Sequence, residues 1–197
     1  METKRLVIVA VGGQGNLLAS SVLGEAALLC GIPLNMSEIH GMAQRGGVVE
    51  SSLVFGDAKS TIISDGEADI LVGFEPAETL RALSKCNADT VVITNLAPLM
   101  PFTVNIGQGV YPDLKQLQEL IRKKTARLIA FNAAALAEKA GNSLAVNMVL
   151  LGALIQTGVL PLSVEEVKEA MSTKTKKAFL DSNLKAFDLG FSAAGAV

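Results

Sequence analysis

Lys4-Arg5-Leu6-Val7-Ile8-Val9-Ala10-Val11-Gly12-Gly13-Gln14-Gly15 decides the fold class. A continuous run of β-branched residues and Leu that stops at glycines predicts a buried strand entering a tight turn. The next segment, Asn16 to Cys30, is dense in apolar residues, rich in Ala and free of Pro. It predicts a helix closed by Gly31 in the C′ position. Ile32 to Ser37 predicts a second short strand, which Pro33 places at a strand start or an edge. Strand, glycine turn, helix and strand in that order open a doubly wound α/β fold.

The pattern continues outward from this unit. His40 to Gly47 has no periodicity and reads as a glycine-punctuated loop. Val48 to Phe55 alternates in the manner of a half-exposed strand, and Gly56-Asp57 is a turn. Further strands are expected at Ile70 to Phe74, Thr90 to Thr94 and Arg127 to Ala130, with a helix from Pro76 to Leu83, where Pro suits the first turn. Leu96 to Pro112 carries three prolines, the last being Pro112, and two glycines, and predicts a surface excursion with a short strand at Phe102 to Ile106. Asp113 and Asn132 are placed to cap helices reaching Ile121 and Gly141. Helices follow over Ala145 to Thr157, Val164 to Met171 and Thr175 to Leu189, with Ser192 to Val197 read as frayed. Ser163-Val164-Glu165-Glu166 has capping-box spacing. The expectation is an α/β fold: one domain over residues 1–197, with an open, mainly parallel sheet flanked by helices and a helical C-terminal third.

Composition narrows the function classes. Of 197 residues, 50% are apolar and 18% charged, with a mean hydropathy of +0.42, yet no run approaches the ~20 apolar residues of a membrane span. The apolar stretch near the start is too short for a signal peptide and lacks a small-residue cleavage site, so a cytoplasmic location is expected. A sheet buried on both faces, with a subunit interface, accounts for the apolar excess. Net charge is −2 and Trp is absent, with no basic tract carrying interleaved aromatics, which argues against nucleic-acid binding. Cys30 and Cys86 lie far apart, and with the single His40 they provide neither a four-thiolate cluster site nor a zinc site.

Two stretches carry possible chemistry. The turn Gly12-Gly13-Gln14-Gly15 joins a strand to a helix N-terminus, where free N–H groups and the helix dipole favour an anion such as a phosphate. A dinucleotide fingerprint wants Gly where Ala10 stands, and an acid at the end of the second strand, where Glu38 is roughly in place. The bland alternative is that the glycines only turn the chain and let the helix pack. The second stretch is Ser37-Glu38-Ile39-His40-Gly41-Met42-Ala43-Gln44-Arg45-Gly46-Gly47. His40 suits acid–base work near neutral pH, and Arg45 suits a carboxylate or phosphate. Met42, Gln44, Arg45 and the glycines at 41, 46 and 47 suit contact with another chain, and with no nucleophile or second base nearby in sequence that reading outweighs independent catalysis. Asn147, inside an apolar helix, reads as a satisfied core amide or a helix–helix contact. Lys174, Lys176 and Lys177 read as a solvated face.

Taken together, the Gly12–Gly15 turn and the Ser37–Gly47 string resemble the gamma-type module of the 2-oxoacid:ferredoxin oxidoreductases. The His-Gly-Met-Ala-Gln-Arg-Gly-Gly form at His40 to Gly47 resembles the beta subunits of the indolepyruvate branch. The similarity extends through Asn147-Met148-Val149-Leu150-Leu151-Gly152-Ala153-Leu154 and Leu160-Pro161-Leu162-Ser163. Ala10 departs from the Gly-x-Gly-Gly-Gln-Gly form usual in the family. The resemblance implies a small, non-thiamin subunit that binds no cofactor firmly itself. Its large partner would carry thiamin diphosphate, Mg and iron–sulfur clusters. The complex would oxidatively decarboxylate an aryl-type 2-oxoacid, with coenzyme A as acyl acceptor and ferredoxin as electron acceptor. On this reading His40 and Arg45 are accessory groups in a loop, Glu38 to Gly47, that faces the partner and the substrate. Gly12, Gly13, Gln14 and Gly15 would meet a phosphate of coenzyme A. A stand-alone nucleotide-binding or regulatory module is the alternative, and a self-contained dehydrogenase, lacking a catalytic set, a third.

Overall fold

The computed structural model describes residues 2–41 and 47–196. Six strands form one sheet: β1 (Lys4–Val11), β2 (Leu34–His40), β3 (Val48–Phe55), β4 (Ala68–Gly73), β5 (Cys86–Asn95) and β6 (Arg127–Phe131), in the order β2-β3-β1-β4-β5-β6. β1, β4, β5 and β6 pair in parallel, whereas β3 runs antiparallel to both β1 and β2. Five of the six strands therefore point the same way, as a mainly parallel sheet requires, and β3 alone opposes them.

The helices are α1 (Asn16–Leu29), α2 (Pro76–Arg81), α3 (Phe102–Asn105), α4 (Leu114–Lys124), α5 (Ala133–Ala140), α6 (Val146–Gln156), α7 (Val164–Lys174) and α8 (Lys177–Gly195). Leu6, Ile8 and Ala10 of β1 face a core built with α1, α5, α6, α7 and α8. Val7 and Val9 point to the opposite face, where Ala82 after α2 and Leu117 and Ile121 of α4 complete a smaller core. This alternation is the period-two pleat of a strand covered on both sides. α6 is buried along nearly its whole length and forms the centre of the helical third. It crosses α8 at two glycines: a Cβ on Gly190 would stand 1.8 Å from the Val149 carbonyl oxygen, and one on Gly152 2.0 Å from that of Phe187.

Helix signals hold closely. Ser163 and Glu166 form the reciprocal capping box, Asp113 and Asn132 accept backbone N–H groups at the starts of α4 and α5, and Gly141 closes α5 at φ +94°. Four expectations need correction. Phe102 to Ile106 holds a single helical turn, not a strand: Pro101 sets its start and all four α3 residues keep away from the core. β2 runs on to His40, because backbone pairing with β3 continues to His40 opposite Val49. β3 is mostly buried, not half exposed, since β1 and β2 flank it and α1 covers one face. α8 continues to Gly195, so the chain is helical where fraying was expected. Among the described residues no helix is long and apolar enough to cross a membrane.

Candidate functional site

The parallel strands end along one edge, at Val11, Gly73, Asn95 and Phe131; β2 ends there too, at His40, and β3 begins there. Open α/β sheets place ligands in the crevice outside these ends. Gly13 and Gly15 take φ of +95° and +82°, which turns the chain from β1 into α1. The Gln14 side chain then straps the edge together: its Oε1 accepts the Val11 N–H at 2.8 Å and its Nε2 donates to the Phe74 carbonyl at 3.3 Å. Asn95 Nδ2 donates to that same carbonyl at 3.1 Å, while Asn95 Oδ1 accepts from Ala97 N and Ala133 N, each at 3.0 Å. Two amides thus tie the ends of β1, β4 and β5 to the start of α5.

α1 starts at Gly15 with no side-chain cap, leaving first-turn N–H groups available to an acceptor. Asn147 of α6 donates its Nδ2 to the Gly15 carbonyl at 3.2 Å, and a Cβ on Gly15 would lie 2.7 Å from that nitrogen. Asn147 is thus the satisfied core amide its setting suggests, and its partner is the candidate turn. Asn16 is buried next to the turn, and its Oδ1 has no hydrogen-bond partner among the described residues.

The second stretch reaches the same edge. Gly12 N donates to the Gly47 carbonyl at 2.9 Å, and Gly41 N donates to that of Val48 at 2.7 Å, so the two motifs are neighbours. Glu38 Oε1 accepts from Ser51 Oγ at 3.1 Å, and Glu38 Oε2 lies 3.2 Å from Nε2 of the exposed His40. Met42, Gln44, Arg45 and Gly46 lie outside the described residues, as does Ala43. Glu38 does not occupy the ribose-binding position of a dinucleotide fold. There the second parallel strand adjoins the first; here β3 intervenes, which puts β2 two strand spacings, roughly 10 Å, from β1. Lys174 at the end of α7 and Lys176 and Lys177 at the start of α8 are exposed, as a solvated face requires, and Lys174 also pairs with Glu25 of α1 at 2.8 Å.

One cluster escapes sequence reasoning. Glu75, 1% exposed, follows β4 and caps α2: its Oε2 accepts from Glu78 N at 3.0 Å, and its Oε1 from Leu99 N at 3.2 Å and from the Tyr111 hydroxyl. Glu78, also buried, takes Arg81 Nη1 on Oε1 at 2.7 Å, and burial pushes its carboxyl above the usual range despite the arginine. The available signal was the run Phe74-Glu75-Pro76, an acid between a strand end and a helix-starting Pro.

Neither thiol is set up for reactivity. Burial, then hydrogen bonding to Glu166, pushes the Cys30 thiol up to about 11, and burial pushes Cys86 to about 11 against the pull of Lys124. They sit on opposite sides of the sheet, Cys30 against the larger core and Cys86 in the smaller, so they cannot share a cluster. Among the described residues no group of three His, Cys, Asp or Glu side chains is placed to hold a metal.

Residues 5–193 match the family model described as pyruvate ferredoxin/flavodoxin oxidoreductase. Indolepyruvate oxidoreductase subunit IorB of Archaeoglobus fulgidus is 41% identical over 189 residues, covering 96% of this chain and 94% of the relative. The gamma subunit of a keto/oxoacid ferredoxin oxidoreductase from Geobacter sulfurreducens superposes with a TM-score of 0.72 at 25% identity, covering 98% and 99% of the two chains. A 2-oxoglutarate:ferredoxin oxidoreductase from Magnetococcus marinus, solved with 2-oxoglutarate, coenzyme A and succinyl-CoA, shares the fold at a TM-score of 0.77 and 20% identity; this chain matches 32% of that longer chain.

Proposed function

The chain belongs to the pyruvate ferredoxin/flavodoxin oxidoreductase family, and from that membership we propose that residues 1–197 form the small, non-thiamin subunit of an indolepyruvate or arylpyruvate:ferredoxin oxidoreductase. The observation that carries the reading is the 41% identity to an indolepyruvate oxidoreductase subunit across almost the full length of both chains. The complex works in the cytoplasm and oxidatively decarboxylates its 2-oxoacid to the acyl-CoA, passing electrons to ferredoxin. Thiamin diphosphate with Mg supplies the acyl-carbanion chemistry, and iron–sulfur clusters supply the electron path, both on a large partner subunit. The two separated, unreactive thiols of this chain do not fit a cluster, which supports assigning the clusters elsewhere.

What this chain contributes is position. The uncapped start of α1, behind Gly12, Gly13, Gln14 and Gly15, offers N–H groups and a positive dipole end to a phosphate of coenzyme A. The Gln14 and Asn147 amides hold that turn rigid, so the donors keep their aim without a ligand. Glu38, fixed by Ser51, orients the His40 ring at the end of β2, next to the backbone of Gly41 and Gly47. From there His40, Arg45 and the neighbouring Met42, Gln44 and Gly46 face the partner and help order its substrate or acyl acceptor. In this arrangement the small chain has no turnover of its own.

Co-expression with the native large subunit, followed by 2-oxoacid-dependent dye reduction, tests the assignment. The expected result is a stable complex whose activity is highest with indolepyruvate and absent from either chain alone. Failure of this chain to retain a thiamin-containing partner would overturn the subunit reading, and a preference for pyruvate or 2-oxoglutarate the substrate. His40→Ala and Arg45→Ala should each lower kcat/KM in the assembled complex; unchanged turnover in both would remove the loop from the mechanism.

A further inference from the structure

Two buried carboxylates lie beside an arginine close to the carboxyl edge, and one of their oxygens has no hydrogen-bond partner among the described residues. Glu75 is filled by Glu78 N, Leu99 N and the Tyr111 hydroxyl. Glu78 is not: Oε1 accepts from Arg81, whereas Oε2 is buried with no hydrogen-bond partner among the described residues. An acceptor stripped of water and given no donor is expensive, and more so when it is charged. Arg81 does not relieve it, because its side chain is 68% exposed and already committed to the other oxygen.

Glu78 opens into a cavity of about 370 Å³ walled by Val11, Arg81, Leu99, Met100 and Phe102. A second space of about 320 Å³ shares Glu78 and Arg81 and continues over Val9 and Glu50 of the sheet. The outer rim is apolar: Phe102 is 74% and Val110 95% exposed, with Leu99, Met100 and Ile106 beside them on the same excursion. A free chain gains nothing from such a concentration of exposed apolar residues, whereas a desolvated interface uses it. Across the two spaces Glu50, Asp65, Glu75 and Glu78 are met only by Arg81 and Lys85 among the described residues, so the charge that completes the recess is positive.

We infer, on the reading of the chain as a subunit, that this recess is the socket for an arginine or lysine side chain presented on an apolar segment of the large partner. The cation reaches Glu78 Oε2, and the segment around it covers Leu99, Phe102 and Val110. A buried ion pair flanked by apolar contact is the pattern of an interface anchor, and loss of either partner weakens association strongly. A small molecule with a donor group would satisfy the oxygen equally, but it would leave the rim exposed.

The test uses the co-expressed complex with Glu78→Gln, which keeps shape and removes charge, and Phe102→Ser on the rim. Each should raise the dissociation constant between subunits at least tenfold by concentration-dependent light scattering, with kcat restored when the partner is in excess. Amides of residues 99–110 should exchange more slowly in the wild-type complex than in the free chain. Wild-type complex and turnover with both variants assembling as tightly as wild type would sink the socket while leaving the subunit reading intact. A raised KM for coenzyme A with assembly unchanged would make the occupant a small molecule, and would overturn the assignment to a partner side chain. A wild-type chain that retains no partner overturns both readings.

Discussion

Replacing Gly190 by Ala should destabilise the protein although Ala is the better helix former. The structure sets the size of the effect. The new Cβ would sit 1.8 Å from the Val149 carbonyl oxygen, 2.6 Å from its carbon and 2.9 Å from its Cα, so it meets backbone of the buried α6 and not a side chain that can swing aside. The two helices must separate by more than 1 Å. A gap of 0.5–1 Å forfeits about a quarter to a half of the dispersion well of each contact it opens. Overpacking of this kind costs about 1–3 kcal/mol or more, and a close backbone approach belongs at the upper end. The helix-propensity gain of Gly to Ala returns about 1 kcal/mol. The net loss is about 2 kcal/mol, which for a chain of this size lowers Tm by about 4–8 °C. Scanning calorimetry measures it, with Gly195→Ala on the same helix as the control. There, among the described residues, the Cβ meets the flexible Gln156 side chain, nearest at its amide nitrogen, 3.3 Å away, and no loss beyond about 0.5 kcal/mol is expected. Gly190→Ala melting at or above wild type would refute the claim that α6 and α8 touch backbone to backbone.

Other outcomes follow from the same geometry. Gly15→Ala places a side chain at φ +82° against Asn147 and should cost about 1–2 kcal/mol from the backbone alone; adding Asn147→Ala should relieve the clash, so a double-mutant cycle in urea reads a coupling that additivity would deny. Glu78 has a folded-state pKa raised by burial, so the folded protein holds its proton more tightly than the unfolded chain. Its stabilising contribution is therefore complete at pH below its unfolded value and is lost as pH rises through the folded one; Glu78→Gln should flatten that part of a pH series of urea melts, and an unchanged slope would contradict the burial. Cys30 and Cys86, with thiols pushed to about 11, should resist alkylation at pH 8 in the folded protein and react once it is unfolded; mass spectrometry of the intact chain distinguishes the states.

The opening unit was readable because each signal in it is local. A run of buried β-branched residues, a glycine turn and an Ala-rich helix ask for nothing beyond their own neighbours. The same is true of the Ser163–Glu166 box, whose partners are three residues apart. Ser37 to His40 misled because polar residues on an edge strand owe their conformation to the partner strand, whose backbone pairs with theirs and whose Ser51 bonds Glu38. Phe102 to Ile106 misled because a short apolar run with β-branched residues fits either a strand or one helical turn. The antiparallel insertion of β3 leaves no trace in periodicity, since direction does not alter which residues alternate. Of the candidate site, both glycine-containing stretches stand out in the sequence, whereas the burial of Glu75 and Glu78 does not. Glu75 is held inside by the return of Leu99 and Tyr111, a contact far off in sequence.

The direction of β3 also bears on how such a module changes over time. Neighbouring parallel strands have to be linked by chain that climbs back to the opposite edge, as the segments carrying α2 and α4 do here. β2 and β3 are exempt: the chain leaves the sheet after His40 and re-enters at Val48 on the same side. Lengthening such a hairpin connection shifts no helix and no register. Each doubling of a flexible loop costs only about 0.6 kcal/mol in closure entropy. The connection between His40 and Val48 is therefore a place where residues can be added or removed without moving a helix or shifting the sheet. A lineage adapting to a differently shaped catalytic partner has a part it can resize while the sheet behind it stays as it was.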